Sequence, residues 1–216
     1  MREHKSISIA DQIFEKLEHD ILIGTYSRGE VLTELKLSET LGVSRTPIRE
    51  ALRRLEQEHI IEETSRGAVV VGITVDDLTD MYEVRAQLEG IVCARTAKNI
   101  TEDGLKKMRE VIDLQRYYVE KNDGDNSDSI KNFDSQFHDL LYYYSGSKAF
   151  YDTLSPIHKK LIKYRKASIK KQSRARQSVD EHEEIYKALA LHDSQKASEL
   201  ATAHVKKARD NIINSL

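Results

Sequence analysis

Cysteine is almost missing from this chain of 216 residues: Cys93 is the single copy, which rules out an internal disulfide framework and fits a reduced, intracellular setting. It falls in an apolar helical stretch, where a small buried hydrophobe is expected. Long hydrophobic runs are missing too. None approaches the roughly 18 apolar residues of a membrane span, and the opening MREHKSISIADQ is too polar for a signal peptide, so a cytoplasmic protein is expected. No internal repeat or low-complexity tract occurs. Excess charge of one sign is also absent: the formal net charge is −2, with 10 Lys/Arg against 13 Asp/Glu in residues 1–72 and 24 against 23 in the remainder. Nucleic-acid binding therefore has to rest on focused charge. What is present, 39% hydrophobic and 32% charged residues, is the composition of a soluble globular protein with chain enough for two domains.

The focused charge lies in GVSRTPIREALRRL, Gly42 to Leu55. Gly42-Val43 supplies a turn, Ser44 is suited to cap a helix, and Pro47 falls in the first turn, where a missing N–H costs least. From Arg45 onward, Ile48, Ala51, Leu52 and Leu55 make one apolar stripe, while Thr46, Arg49, Arg53 and Gln57 project away from it. Arg45, Arg49, Arg53 and Arg54 face a single anion, Glu50, within ten residues, and the positive helix N-terminus adds to the attraction for phosphate. The plain alternative is an amphipathic helix with a solvated basic face. Its flanks favour the DNA reading. Upstream, TELKLSETL reads as a short helix with Leu35, Leu37 and Leu41 available for packing, closed by Gly42. Downstream, two short strands at 60–63 and 68–71 flank a polar turn, which makes a hairpin wing. A helix over 9–23 should back the reader, and Val31-Leu32 should add a strand segment.

GVSRTPIREALRRLEQE followed by SRGAVVV resembles the winged helix-turn-helix of GntR-type bacterial transcription regulators. The resemblance implies contacts to double-stranded DNA from Ser44, Arg45, Thr46, Arg49 and Arg53 in the recognition helix and from Arg66 and Gly67 in the wing. Leu35 stands where many relatives carry a polar or basic residue, and His59 where a helix-ending glycine is usual.

Beyond a boundary near Gly72-Ile73, only helical periodicity is visible. Thr74 with Asp77 should open a helix over 75–98, Thr101 a second, and 128–144 a third. A fourth over about 147–168 contains Pro156, which should kink or split it. Ser178 with Glu181 reads as a capping box for a fifth, and Asp193 opens the last. The expected fold is mainly α, with a winged helix-turn-helix over 1–73 and an all-α antiparallel bundle over 74–216. The basic stretch Lys159–Arg176 reads as a solvated face, and the clusters Tyr117-Tyr118 and Tyr142-Tyr143-Tyr144 as core and pocket wall.

Asp134 and His138, four apart in FDSQFHDLL, leave one helix face and can meet one ion; alone the pair is a weak signal, and polar residues in a bundle core explain it as well. His182 and His204 lie on two later helices, His204 among small residues in ATAHVKKA. These four, spaced by 4, 44 and 22, resemble the Asp/His/His/His set of the FCD effector domain of the FadR branch of GntR regulators. The resemblance implies a divalent transition metal, Zn, Ni, Mn or Fe, held by three imidazoles and one carboxylate with room for a substrate oxygen. Arg85, a cation on a largely apolar helix, needs a partner: Glu89 one turn on, or the small organic acid effector that the resemblance places between Arg85 and the metal. The resulting expectation is a ligand-responsive repressor that binds a palindromic operator as a homodimer, with a metal-dependent enzyme on the same four residues as the alternative. Against the enzyme stands the lack of a supported general acid or base.

Overall fold

The computed structural model describes residues 8–121, 126–168 and 172–214, leaving aside the side chains of 163–168 and 172–173. They form two compact units, Met1–Thr74 and Val75–Leu216.

In the first unit, α1 (Ile9–Leu22), α2 (Glu34–Leu41) and α3 (Arg45–Gln57) pack with a small sheet of β1 (Val31–Leu32), β2 (Ile61–Thr64) and β3 (Gly67–Val70). Helix α1 opens on a capping box between Ser8 and Asp11, and α2 on Thr33, whose hydroxyl accepts from the Lys36 N–H. Gly42 ends α2 in the left-handed conformation at φ 66°. Ser44 occupies the N-cap position of α3 but makes no side-chain cap bond. The turn is secured instead by Ser38, whose hydroxyl donates to the Val43 carbonyl at 2.6 Å. Leu17, Ile48, Ala51 and Leu55 are fully buried, so the apolar stripe of α3 faces α1 and the core. Of the three α2 leucines, only Leu37 is fully buried; Leu35 is 57% exposed. The strands pair antiparallel in the order β1-β3-β2, with Leu32 opposite Ala68 and Glu63 opposite the same residue on the other edge. Gly67 sits at φ 127°, and a Cβ there would come within 2.7 Å of the Leu32 carbonyl oxygen, so the pairing of β1 with β3 requires glycine.

The second unit consists of α4 (Val75–Asn99), α5 (Glu102–Glu120), α6 (Ser127–Tyr144), α7 (Lys148–Ser168), α8 (Gln172–Ala190) and α9 (Ser194–Ile213). Contacts between α5 and α8, such as Arg109–Glu183 and Arg116–Asp180, run in opposite senses. Those between α4 and α6, Thr96 to Leu141 and Asn99 to Ser145, advance together, so these two helices run the same way. Helix α9 lies close along α4. A Cβ on Gly90 would approach the Thr202 hydroxyl to 2.5 Å, and Ala197, Ala201 and Ala208 are buried. Helix α7 continues through Pro156 as one helix, which of the two expected outcomes excludes the split. One sequence expectation is corrected. Helix α8 starts at Gln172, so Ser178 and Glu181 lie inside it and are no capping box; both serve the buried site described below. Of the basic stretch 159–176, the side chains of 163–173 lie outside the described residues; Lys159 is exposed. Cys93 is buried. The tyrosines divide: Tyr142 is fully buried, whereas Tyr117 and Tyr143 are more than half exposed.

Candidate DNA-reading helix and buried histidine centre

On α3, Ser44, Arg45, Thr46, Arg49 and Arg53 are all exposed. Arg49 donates from Nε and Nη2 to the two carboxylate oxygens of Glu34 at 2.7 and 2.9 Å, and Arg45 Nε lies 3.3 Å from the same carboxylate. A bidentate clamp of this kind fixes the guanidinium plane. Arg54 does not belong to this face. Its Nη1 donates to Asp11 at 2.6 Å and its guanidinium carbon stands 4.1 Å from the Phe14 ring centroid, so it ties α3 to α1. The wing turn is ordered by Thr64, whose hydroxyl donates to the Gly67 carbonyl at 2.7 Å and accepts from the Arg66 N–H; the Arg66 side chain is exposed at the tip.

In the second unit, Asp134 and His138 on α6, His182 on α8 and His204 on α9 are all buried, and their neighbourhood is polar. Nitrogens of His138, His182 and His204 lie within 4.8 Å of one another. His182 Nε2 is 3.8 Å from Asp134 Oδ1. Donors around one ion at about 2.1 Å stand roughly 3 to 4 Å apart, so a small contraction would bring the four onto a common ion. The rings are held from behind. His182 Nδ1 donates to Gln115 Oε1 at 2.9 Å and His204 Nδ1 to Glu181 Oε2 at 2.7 Å, which leaves both Nε2 atoms as acceptors facing inward. His182 Nε2 has no hydrogen-bond partner and its ring stacks on Phe137 at 4.0 Å. Ser178 and Gln115 both donate to Asp134 Oδ1. His138 Nδ1 lies 3.2 Å from Glu89 Oε2.

Electrostatics fit a ligand set. Burial pushes the His182 imidazole well below its ordinary range, more than Asp134 raises it, and burial likewise outweighs the Glu181 contact at His204. Both rings are therefore neutral near pH 7, as ligation needs. Burial raises the Glu181 carboxyl, but His204 and Arg174 outweigh it and bring it down to about 2. Three buried imidazoles and a carboxylate, with an unpartnered nitrogen aimed inward, suit a borderline divalent ion.

Arg85 is buried on α4 and donates from Nε to Glu89 Oε1 at 2.6 Å. The Tyr142 hydroxyl donates to the same oxygen at 2.6 Å. Burial would raise the Glu89 carboxyl, but Arg85 and then His138 hold it well below the usual carboxylate range. Arg85 is thus paired within its own helix. Sequence spacing gives no signal for His158, spells Glu181 as a cap, and marks Gln115 only as a glutamine in line with Leu105, Met108 and Ile112 of α5.

Among the described residues no helix is long and apolar enough to cross a membrane. Comparison with known proteins agrees with both halves of the molecule. The model of bacterial regulatory proteins of the gntR family matches residues 9–71, and the FCD domain model matches residues 80–207. The chain is 26% identical to the uncharacterized HTH-type transcriptional regulator YdhC of Bacillus subtilis, over 89% of this chain and 86% of that protein. It is 25% identical to the HTH-type transcriptional repressor RspR of Escherichia coli, over 94% and 89%. The solved structure of E. coli McbR/YncC shares the fold at a TM-score of 0.71 and 22% identity, covering 97% of this chain and 99% of that one. These relatives are regulators and give the enzyme alternative no support. A winged reader carrying an arginine-lined helix, joined to a helical domain with a buried histidine cluster and matched by both models, makes this chain a DNA-binding transcription regulator of the gntR family with an FCD domain.

Proposed function

We propose that the protein is a repressor whose affinity for a palindromic operator, bound as a homodimer in the cytoplasm, is set by a small carboxylate recognised at a metal site in the helical unit. The observation that carries this reading is the convergence of His138, His182 and His204 beside Asp134, with the outward nitrogens of His182 and His204 anchored by Gln115 and Glu181. Zn, Ni, Mn or Fe would suit these donors, and when bound the ion would supply a Lewis-acid anchor for a carboxylate oxygen. Arg85 is the nearby cation for the same acid. Because Glu89 already holds its guanidinium, an entering carboxylate has to share or displace that contact, and redistribution of the Arg85–Glu89–Tyr142 set is the change by which the two states differ. Sequence is read by Arg49, whose plane Glu34 fixes, and by Arg45 beside the same carboxylate, with Ser44, Thr46, Arg53, Arg66 and Gly67 supplying positioning contacts. Two readers in a symmetric dimer call for a palindrome. Repression as the sign of regulation follows the name of the RspR relative.

An operator-release titration with small hydroxy- and dicarboxylic acids tests the proposal. Wild type should release DNA at a defined acid concentration. His182→Ala should keep its helicity and DNA binding but lose metal and response, whereas Arg85→Ala should keep the metal and lose the response. Release by the metal-free variant at the wild-type concentration would make the ion purely structural.

A further inference from the structure

The metal reading uses three of four imidazoles in the buried cluster. The fourth, His158, stands on α7 and is 1% exposed, and neither of its ring nitrogens has a hydrogen-bond partner. Its ring centroid is 4.3 Å from that of His138. Its Nε2 lies 3.6 Å from Asp134 Oδ2, whereas His182 Nε2 lies 3.8 Å from Oδ1 of the same carboxylate. The two imidazoles thus address opposite oxygens of one carboxyl at similar range. Buried polar groups are nearly always paired, so an imidazole left without a partner on both sides calls for a ligand.

Two arrangements use His158. It can join the ion held by Asp134, or it can take a second ion with Glu89 and His138, since donor atoms of these three also lie within 4.8 Å of one another. Charge separates them. Glu89 and Asp134 against Arg85 leave one formal negative charge in the cluster, and Arg174 and Glu181 balance each other. One dication brings the total to one positive charge; a second would bring it to three in a buried, poorly screened volume. Glu89 Oε1 is moreover taken by Arg85 and Tyr142, which leaves that carboxylate only Oε2 to offer an ion. We infer that His158 is a fifth protein ligand, joining Asp134, His138, His182 and His204 on a single divalent ion. The inference rests on the metal reading above. Five protein donors exceed what a tetrahedral ion takes, so the site prefers ions that accept five or six ligands over four-coordinate zinc and leaves one octahedral position for a monodentate carboxylate.

Cobalt(II) is the probe. Full-length protein is stripped, reloaded and titrated against a chelating dye, with stoichiometry from native mass spectrometry, for wild type, His158→Gln and His158→Ala. Wild type should take one cobalt per chain with the weak visible bands of a five- or six-coordinate ion. Both variants should bind at least about 10-fold more weakly, with stronger bands of lower coordination, and show a smaller metal-induced rise in thermal midpoint. A purely structural His158 would lower the metal-free midpoint and leave that rise and the spectrum unchanged. Unchanged affinity and spectrum overturn the inference and spare the metal reading. Two cobalt ions per chain overturn it in favour of the second site. No cobalt in wild type overturns both. Should the variants not fold, X-ray absorption of the wild-type cobalt protein decides, with four imidazoles expected and three contrary to the inference.

Discussion

Among the described residues, two non-glycine residues hold a positive φ, His59 at 55° and His192 at 53°. His192 is compensated, since its Nδ1 meets the Ala97 carbonyl at 2.7 Å and ties the α8–α9 turn to α4. The exposed His59 side chain follows α3 at a position that a glycine would hold without strain. His59→Gly should therefore stabilise the DNA-reading unit by about 0.5–1 kcal/mol, after the larger unfolded-state entropy of glycine offsets part of the relief. A thermal melt checks it, and an unchanged or lower midpoint counts against the strain account. The buried imidazoles set a pH dependence. Burial lowers the imidazoles of His158, His182 and His204 below the ordinary 6.5. Groups depressed in the folded state contribute fully above the unfolded value and lose that contribution as pH falls below it. Glu181, at about 2, keeps its contribution until pH drops below its unfolded value near 4.5. The metal-free protein should thus lose thermal stability between pH 7.5 and 5.5 through its histidines, and His182→Gln should flatten that slope. An equal slope in the variant would assign the loss to other groups.

Elements are placed by a few close approaches. The α4–α9 contact depends on Gly90, where a Cβ meets Thr202 and Ser198 on the helix that also carries His204. Gly90→Leu would force the helices apart, at an expected cost of about 1–3 kcal/mol, and should weaken metal binding by moving His204. A variant as stable and as metal-competent as wild type would show that the helix pair accommodates the side chain. Helix α8 carries the clearest contrast between pattern and packing. Ser178-x-x-Glu181 has the spelling of a capping box, yet in the middle of a helix the two side chains are free to face inward, where Ser178 donates to Asp134 and Glu181 receives His204. Local spelling cannot distinguish these uses, because what decides is whether α8 has already begun at Gln172.

At the scale of the molecule, a net charge of −2 leaves operator affinity to locally focused charge rather than to the whole surface. Arg49→Ala should weaken binding to the cognate operator by roughly ten- to a hundredfold for each half-site and relax sequence preference, whereas Lys159→Ala, exposed on α7, should change little. A salt-matched binding titration compares them, and equal weakening would remove α3 as the reading element. Glu34→Gln offers a finer check: with the clamp on Arg49 loosened, non-specific binding should hold or rise while discrimination between operators falls.

Some of this was fixed by the order of residues alone. The apolar stripe of α3, the left-handed Gly42, the hairpin around Gly67 and the 4-residue step from Asp134 to His138 are local, written within one or two turns of chain, and periodicity exposes them. The identities of Asp134, His138, His182 and His204 were legible through resemblance, and the structure gathers the three histidines within 4.8 Å with Asp134 beside them. The partner of Arg85 one turn on, Glu89, was legible, but partnerships between distant segments were not. That Glu34 clamps Arg49 across 15 residues, that Arg54 faces Asp11 rather than the groove side, and that Gln115, Glu181 and His158 surround the cluster from helices far apart in sequence were settled only by folding. Such contacts depend on which faces the helices turn toward each other, and that is chosen by the burial of the whole apolar surface rather than by any single segment.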